Sequence, residues 1–309
     1  MSALQVFLLG RFRVQRGPET LFGFEAARVQ ELFCYLLLYR DRPHSRESLV
    51  AQLWGDKSSS QSKSYFRKTL WQLQAALNRQ LGLAEKPLLV AEPGWVQLDS
   101  APCLWLDVAL LEEAFHLVHG VPGRLLDAGQ IETLQYVAGL YHGDLLEGWY
   151  QDWCLFERER LRHAYLSILD KLMDYCESVC RYEHAVVYGE QVLRHDGARE
   201  RTHRQLMRLY YLAGDRTAAL RQYEHCCTAL RDELGVGPAR STQTLYEHIR
   251  TGSLPARTVP QPSQDAEHDK GARSLELSTD LQRLRASLRD LREQVKHTLR
   301  AIDRAEREQ

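Results

Sequence analysis

Four apolar or small positions recur at one fixed offset. Leu172, Met173, Ala185 and Val192 are answered 34 residues later by Leu206, Met207, Ala219 and Cys226. A period of that length belongs to a helix pair that cannot bury its apolar face alone and must stack on a neighbouring copy. In the second copy Leu206, Tyr210, Ala219 and Tyr223 occupy packing positions, Gly214-Asp215 supplies the turn, and the small alanines let paired helices approach closely. From Leu104 to Gly252 apolar residues return every three or four positions, and no β-branched run of strand length interrupts them. The pattern predicts an all-helical body.

The first hundred residues read differently. The segment 4–14, LQVFLLGRFRV, predicts a strand pair or a strand bent at Gly10. Val29, Leu32, Phe33, Leu36 and Leu37 make one stripe on a helix over 25–39, which Asp41, Arg42 and Pro43 stop. Ser45 is placed to cap a second helix, SRESLVAQLW, ending near Gly55. A loop over 57–60 then leads into a third helix, and LLVAEPGWVQL reads as a hairpin turning at Pro93-Gly94.

The third helix carries the functional signal. Between Lys57 and Gln80 stand Lys57, Lys63, Arg67, Lys68 and Arg79 without a single acid, although the whole chain sums to −1. Phe66, Leu70, Leu73 and Leu77 share one face. The opposite face presents Ser64, Lys68, Trp71, Gln72 and Ala75, with Arg67 and Gln74 on its flanks. A helix held from behind while offering cations, hydroxyls, amides and an indole forward suits a DNA major groove. Charge is distributed to match: residues 1–103 hold 13 Lys plus Arg against 9 Asp plus Glu, and the remainder 27 against 32.

Other classes find little support. No phosphate-cradling glycine loop, paired catalytic carboxylates or histidine spacing for a metal occurs, so no catalytic residue, metal or cofactor is expected. No apolar run is long enough to cross a membrane, the N-terminus is a poor secretory signal, and seven cysteines without a C-x-x-C pair read as free, buried thiols. These features place the chain in the cytoplasm. The run from Glu157 to Arg162 reads as helix-surface ion pairs, and Trp149 and Trp153 as core. Arg199, Arg201, Arg204 and Arg208 are placed to gather a peptide or a small anionic ligand on one face of a repeat, with His203 among them as a surface or partner-facing residue.

Beyond Gly252, prolines 255, 260 and 262 among polar residues mark a flexible linker over 253–273. Leu277, Leu281, Leu284, Leu288, Leu291, Val295, Thr298 and Ile302 then alternate spacings of four and three, a heptad seam over 274–309 that favours a dimer, with Asp280 placed to meet Arg285 of a parallel partner.

Two blocks of this sequence resemble a known bacterial family. LQVFLLGRFRV, HSRESLVAQLW, YFRKTLWQLQAAL and EPGWVQLD are similar to an OmpR-type winged helix; YHGDLLEGWYQDWCLFERERLR, RERTHRQLMRLYYLAGDRTAALRQYEHC and ELGVGPARSTQTLYEHIR resemble the bacterial transcriptional activator domain that follows it in SARP-like regulators. The resemblance implies a mostly α chain with a small α+β head: a winged-helix DNA-binding domain over 1–102, then a tetratricopeptide-like activator domain over 103–252. It implies that the third helix enters the major groove with Ser64, Arg67, Lys68, Trp71 and Gln72 facing bases, while Arg46, Lys63 and the wing's Trp95 meet the backbone. Double-stranded DNA and RNA polymerase are the implied partners, and transcriptional activation the implied role. Gln72 and Gln74 stand where the family commonly has arginines, a departure that weakens phosphate contact or retunes base preference. The alternative it opens is a protein-interaction adaptor that works through its repeats, with a winged helix that has lost specific DNA binding.

Overall fold

The computed structural model describes residues 4–55, 59–81, 87–99 and 104–253. The heptad segment with Leu277, Asp280, Leu281, Leu284, Arg285, Leu288, Leu291, Val295, Thr298 and Ile302, the linker beyond Ser253, Lys57 and Cys103 lie outside the described residues.

The segment 4–14 forms a strand pair. β1 (Leu4–Phe7) and β2 (Arg13–Arg16) run antiparallel with Val6 opposite Val14, and Gly10 makes the bend at φ 96°, where a Cβ would be strained. β3 (Glu19–Thr20) extends β2. α1 (Ala27–Leu38) follows with its apolar stripe buried, then β4 (His44–Ser45) and α2 (Arg46–Trp54). Ser45 caps α2 as expected, its Oγ accepting the Ser48 N–H at 3.1 Å. α3 spans Ser59–Leu81, and the hairpin of β5 (Leu89–Glu92) and β6 (Trp95–Leu98) adds β4 as a third strand.

Two expectations are corrected here. Ser59 and Ser60 belong to α3 rather than to a loop, and the Ser62 hydroxyl donates to the Trp54 carbonyl at 3.1 Å, tying the new helix to the end of α2. The chain is also not wholly helical after residue 103. β7 (Leu104–Leu106) pairs in parallel with β1, so the head's sheet has the order β3-β2-β1-β7. A three-residue strand is too short to register as a periodic run.

The body then follows as α4 (Asp107–Leu117), α5 (Ala128–Leu140), α6 (Asp152–Ser178), α7 (Tyr182–His195), α8 (Glu200–Leu212), α9 (Arg216–Leu234) and α10 (Arg240–Thr251). All eight residues of the 34-residue repeat are buried at 1% exposure or less. Gly214-Asp215 makes the α8–α9 turn, and Asp215 caps α9. Gly235 closes α9 in the left-handed conformation at φ 68°. Among the described residues no helix is long and apolar enough to cross a membrane.

Head and body share one core. Buried residues from Leu4 to Val192 form a single cluster, and two smaller ones, around Leu206 and around Met207, sit between the later helices. Polar groups seal the same junction. Asp107 is fully buried at the start of α4 and accepts the backbone N–H groups of Leu8 and Leu9, each at 2.8 Å. Gly10 N–H donates to Asp144 O and Leu146 N–H to Leu8 O, both at 2.9 Å. Glu112 of α4 receives Arg40 at 2.6 Å and Arg160 at 2.5 Å, bracing the end of α1 against α6.

The Glu157–Arg162 run is less superficial than expected. Glu157 is buried and paired with Arg160 at 2.7 Å. Arg158 donates to the carbonyls of Leu145, Leu146 and Trp149, each at 2.9 Å, because the turn ahead of α6 leaves those oxygens without helical donors. Trp153 is buried and meets the half-buried Trp149 edge to face. Cys34, Cys154, Cys176 and Cys226 are buried free thiols, whereas Cys180 is exposed and Cys227 half-buried.

Candidate nucleic-acid interface

The mount of α3 fixes what it can present. Phe66, Leu70, Leu73 and Leu77 are all buried, Phe66 against Trp54 edge to face at 5.8 Å. Burying side chains of this size contributes roughly 1.5–3 kcal/mol each, which holds the helix's rotation about its own axis. Ala76 lies beneath the Gly23 turn, where a Cβ on Gly23 would sit 3.3 Å away.

Turned outward are Lys63, Ser64, Arg67, Lys68 and Trp71, the indole 68% exposed. An exposed tryptophan of this size, flanked by cations rather than by apolar neighbours, is suited to stacking or to groove contact. Gln72 and Gln74 are half-buried, so they stand at the edge of this face.

The wing approaches from the side. Ser45 pairs with Trp95 in the β4–β6 ladder, and Arg46 N–H donates to Gly94 O at 2.9 Å, so the N-terminus of α2 and the hairpin turn form one unit. Trp95 is half exposed at 50%. Arg46, Lys63 and Arg67 line one cleft of about 380 Å³ between α2 and α3, together with Glu47, Val50 and Ser60. The buried Arg46 Nε has no hydrogen-bond partner among the described residues. Three predicted DNA contacts therefore converge, and Ser64, Lys68 and Trp71 continue the surface along α3. Ser60 was missed by the sequence reading, because the polar run at 57–60 carries no sign of where the helix starts.

The second predicted surface is divided. Arg201, Arg204 and Arg208 line a groove of about 440 Å³ with Glu177, Gln205 and residues of α10. Arg199 is withdrawn into a salt bridge with Asp170 at 2.7 Å. His203 is a correction: it is 3% exposed, not a surface residue. At about 100° per residue it falls on the far side of α8 from the three arginines. Its Nε2 lies 2.8 Å from Gly197 O and its Nδ1 2.7 Å from Gln222 Nε2. A carbonyl partner requires the proton on Nε2, which leaves Nδ1 to accept from Gln222.

Comparison with known proteins bears on the fold and the helical body. Residues 107–250 match the family model of the bacterial transcriptional activator domain. Over 253 residues the chain is 26% identical to the regulatory protein AfsR of Streptomyces coelicolor, covering 80% of this chain and 24% of that protein, so it spans about a quarter of that relative's length. It is 25% identical to the transcriptional regulatory protein MoaR1 of Mycobacterium tuberculosis, covering 80% of this chain and 79% of that protein. Its fold is similar to that of Mycobacterium tuberculosis EmbR, solved in complex with a low-affinity phosphopeptide, at a TM-score of 0.60 and 20% identity over 90% of this chain and 71% of that one.

Proposed function

We propose that this chain, a SARP-like transcriptional regulator with a bacterial transcriptional activator domain over residues 107–250, binds promoter DNA through the outward face of α3. The observation that carries the reading is the pairing of a fully buried face, Phe66 to Leu77, with an outward face that has Lys63, Ser64, Arg67, Lys68 and Trp71 and no acid. Arg67, Lys68 and Trp71 enter the major groove; Arg46 and Lys63 meet phosphates beside it, and Trp95 brings the wing onto the backbone.

The body acts on this as a rigid mount and as a protein-facing surface. In this reading the regulator acts in the cytoplasm as an activator, with RNA polymerase as its partner. The heptad seam read from Leu277 to Ile302 in the sequence pairs two chains, so two heads engage neighbouring half-sites. Such pairing offsets the arginines replaced by Gln72 and Gln74.

The test is fluorescence anisotropy of the full chain on genomic DNA from upstream of its own gene, across a salt series. Sequence-selective binding that weakens with salt is expected. Arg67→Ala or Lys68→Ala costs about 1–3 kcal/mol if the side chain reads a base. A folded chain that binds no genomic fragment at low salt would replace this reading with the adaptor.

A further inference from the structure

α6, α8 and α10 stand in alternate positions of the helical array, with α7 and α9 between them in the chain. A groove of about 440 Å³ crosses all three: Glu177 comes from α6, Arg201, Arg204, Gln205 and Arg208 from α8, and Thr244 and His248 from α10. This is the ribbon on which stacked helix pairs form an extended concave surface.

The arginines are spaced three and four apart, so they make one cationic stripe along α8. The lone carboxylate lining the groove, Glu177, is already occupied by Arg208 at 3.1 Å and Gln205 at 3.2 Å. Arg204 is held by two neutral hydroxyls, Ser241 at 3.1 Å and Thr242 at 3.2 Å, which orient the guanidinium without cancelling its charge. Its neighbour Glu200 is turned to Ala239 N–H and the Thr242 hydroxyl instead. Arg201 makes no salt bridge within 4 Å among the described residues; the nearby Asp170 carboxylate, on which its charge acts, is paired with Arg199 at 2.7 Å. The opposite wall adds the His248 imidazole and Thr244, whose hydroxyl donates back to Arg240 O at 2.9 Å.

We infer that the α6–α8–α10 groove is a docking site for an acidic, carboxylate-rich peptide segment of a partner protein, with Arg201 and Arg204 as its anchoring cations. The occupant is argued from charge complementarity and shape: fixed forks suit carboxylates bidentately, and an open groove suits a chain better than a compact ligand. The site is separate from α3, so it stands whether or not the head binds DNA.

The experiment titrates the full chain against fluorescein-labelled octaglutamate and a neutral Gly-Ser octapeptide at low salt. Saturable binding of octaglutamate alone is expected. Arg201→Glu with Arg204→Gln should weaken it by about tenfold or more. Thr244→Glu, which keeps every arginine and puts a carboxylate on the facing wall, should weaken it comparably. Lys63→Ala with Arg67→Ala in the head should leave it unchanged. The assignment is overturned by absence of binding, by equal binding of the neutral peptide, by loss only in the head variant, or by retention in both groove variants. Displacement by inorganic phosphate at concentrations where chloride has no effect would also overturn it, in favour of a phosphate site. Loss of DNA binding in the groove variants would make the groove a nucleic-acid surface instead.

Discussion

Two buried titratable residues set much of what single positions do here. His203 bridges Gly197 and Gln222 inside the repeats, and burial holds its imidazole below the usual histidine range. Its depressed folded pKa makes the neutral form part of the native state, so its contribution is complete above 6.5 and lost as pH falls below that value. His203→Ala should cost about 1–3 kcal/mol in urea unfolding at neutral pH by orphaning two buried partners, and should flatten the acid slope. Asp107 works in the opposite sense. Burial pushes its carboxyl up to about 6, against the pull of the Leu9, Leu8 and Val108 N–H groups. A raised folded pKa gives stability that is full below 3.8 and declines as pH rises through about 6. Wild type and Asp107→Asn compared by denaturation midpoint across that range should differ by that slope, the variant lacking it. No local sequence signal distinguishes either residue from its exposed counterparts, since burial of a lone His or Asp is decided by what packs over it.

At the scale of elements, the repeat owes its fit to one small residue outside the recurring set. A Cβ on Gly189 of α7 would lie 2.6 Å from Leu206 Cδ2 and 3.0 Å from Met173 Sδ, both side chains fully packed. At the same offset in the second copy stands Tyr223, which stacks on Tyr246 of α10 at 4.2 Å. The two copies thus share their core positions but differ at this one, a glycine under Leu206 in the first and a stacked tyrosine in the second. Gly189→Ala gains helix propensity but overpacks, and a net loss of about 1–3 kcal/mol is expected from thermal or urea unfolding. Unchanged or raised stability would mean that α7 and α8 separate freely. α3 shows the reverse case, in which periodicity alone identified the buried face: every residue expected to be buried is buried and Lys63, Arg67 and Lys68 are exposed, although Gln72 and Ala75, expected on the outward face, are half-buried. Its N-terminus was less legible, because Ser59 and Ser60 are acceptable in loop and helix alike.

Over the whole molecule, the head is completed by the body. β7 supplies the fourth strand of the head's sheet, Asp107 accepts the Leu8 and Leu9 amides, and 144–147 pairs with 8–10. Each such hydrogen bond contributes about 1 kcal/mol net, and together they tie 4–10 to segments 99 residues away at Asp107 and still farther away at 144–147. A fragment ending at Asp99 lacks all of them. Amide exchange at Val6 and Val14 should therefore be much faster in that fragment than in the full chain, and equal protection would show a self-sufficient head. The same junction fixes the angle at which α3 is carried relative to the repeats, through the Arg40–Glu112–Arg160 bridge and the Tyr35–Trp153 contact at 5.5 Å.

The sequence by itself determined the three helices of the head, the buried face of α3, the hairpin over 89–98 and the helix-pair repeat, because each is written in the three-and-four spacing, in local turn residues, or in a 34-residue recurrence that needs no knowledge of distant contacts. Only the tertiary structure decided that Leu104–Leu106 is a strand, that His203 is core while Arg201, Arg204 and Arg208 share a groove, and that head and body have one core. Those outcomes depend on which surfaces meet across long stretches of chain, and a pairing partner or a covering helix leaves no trace in the local pattern it completes.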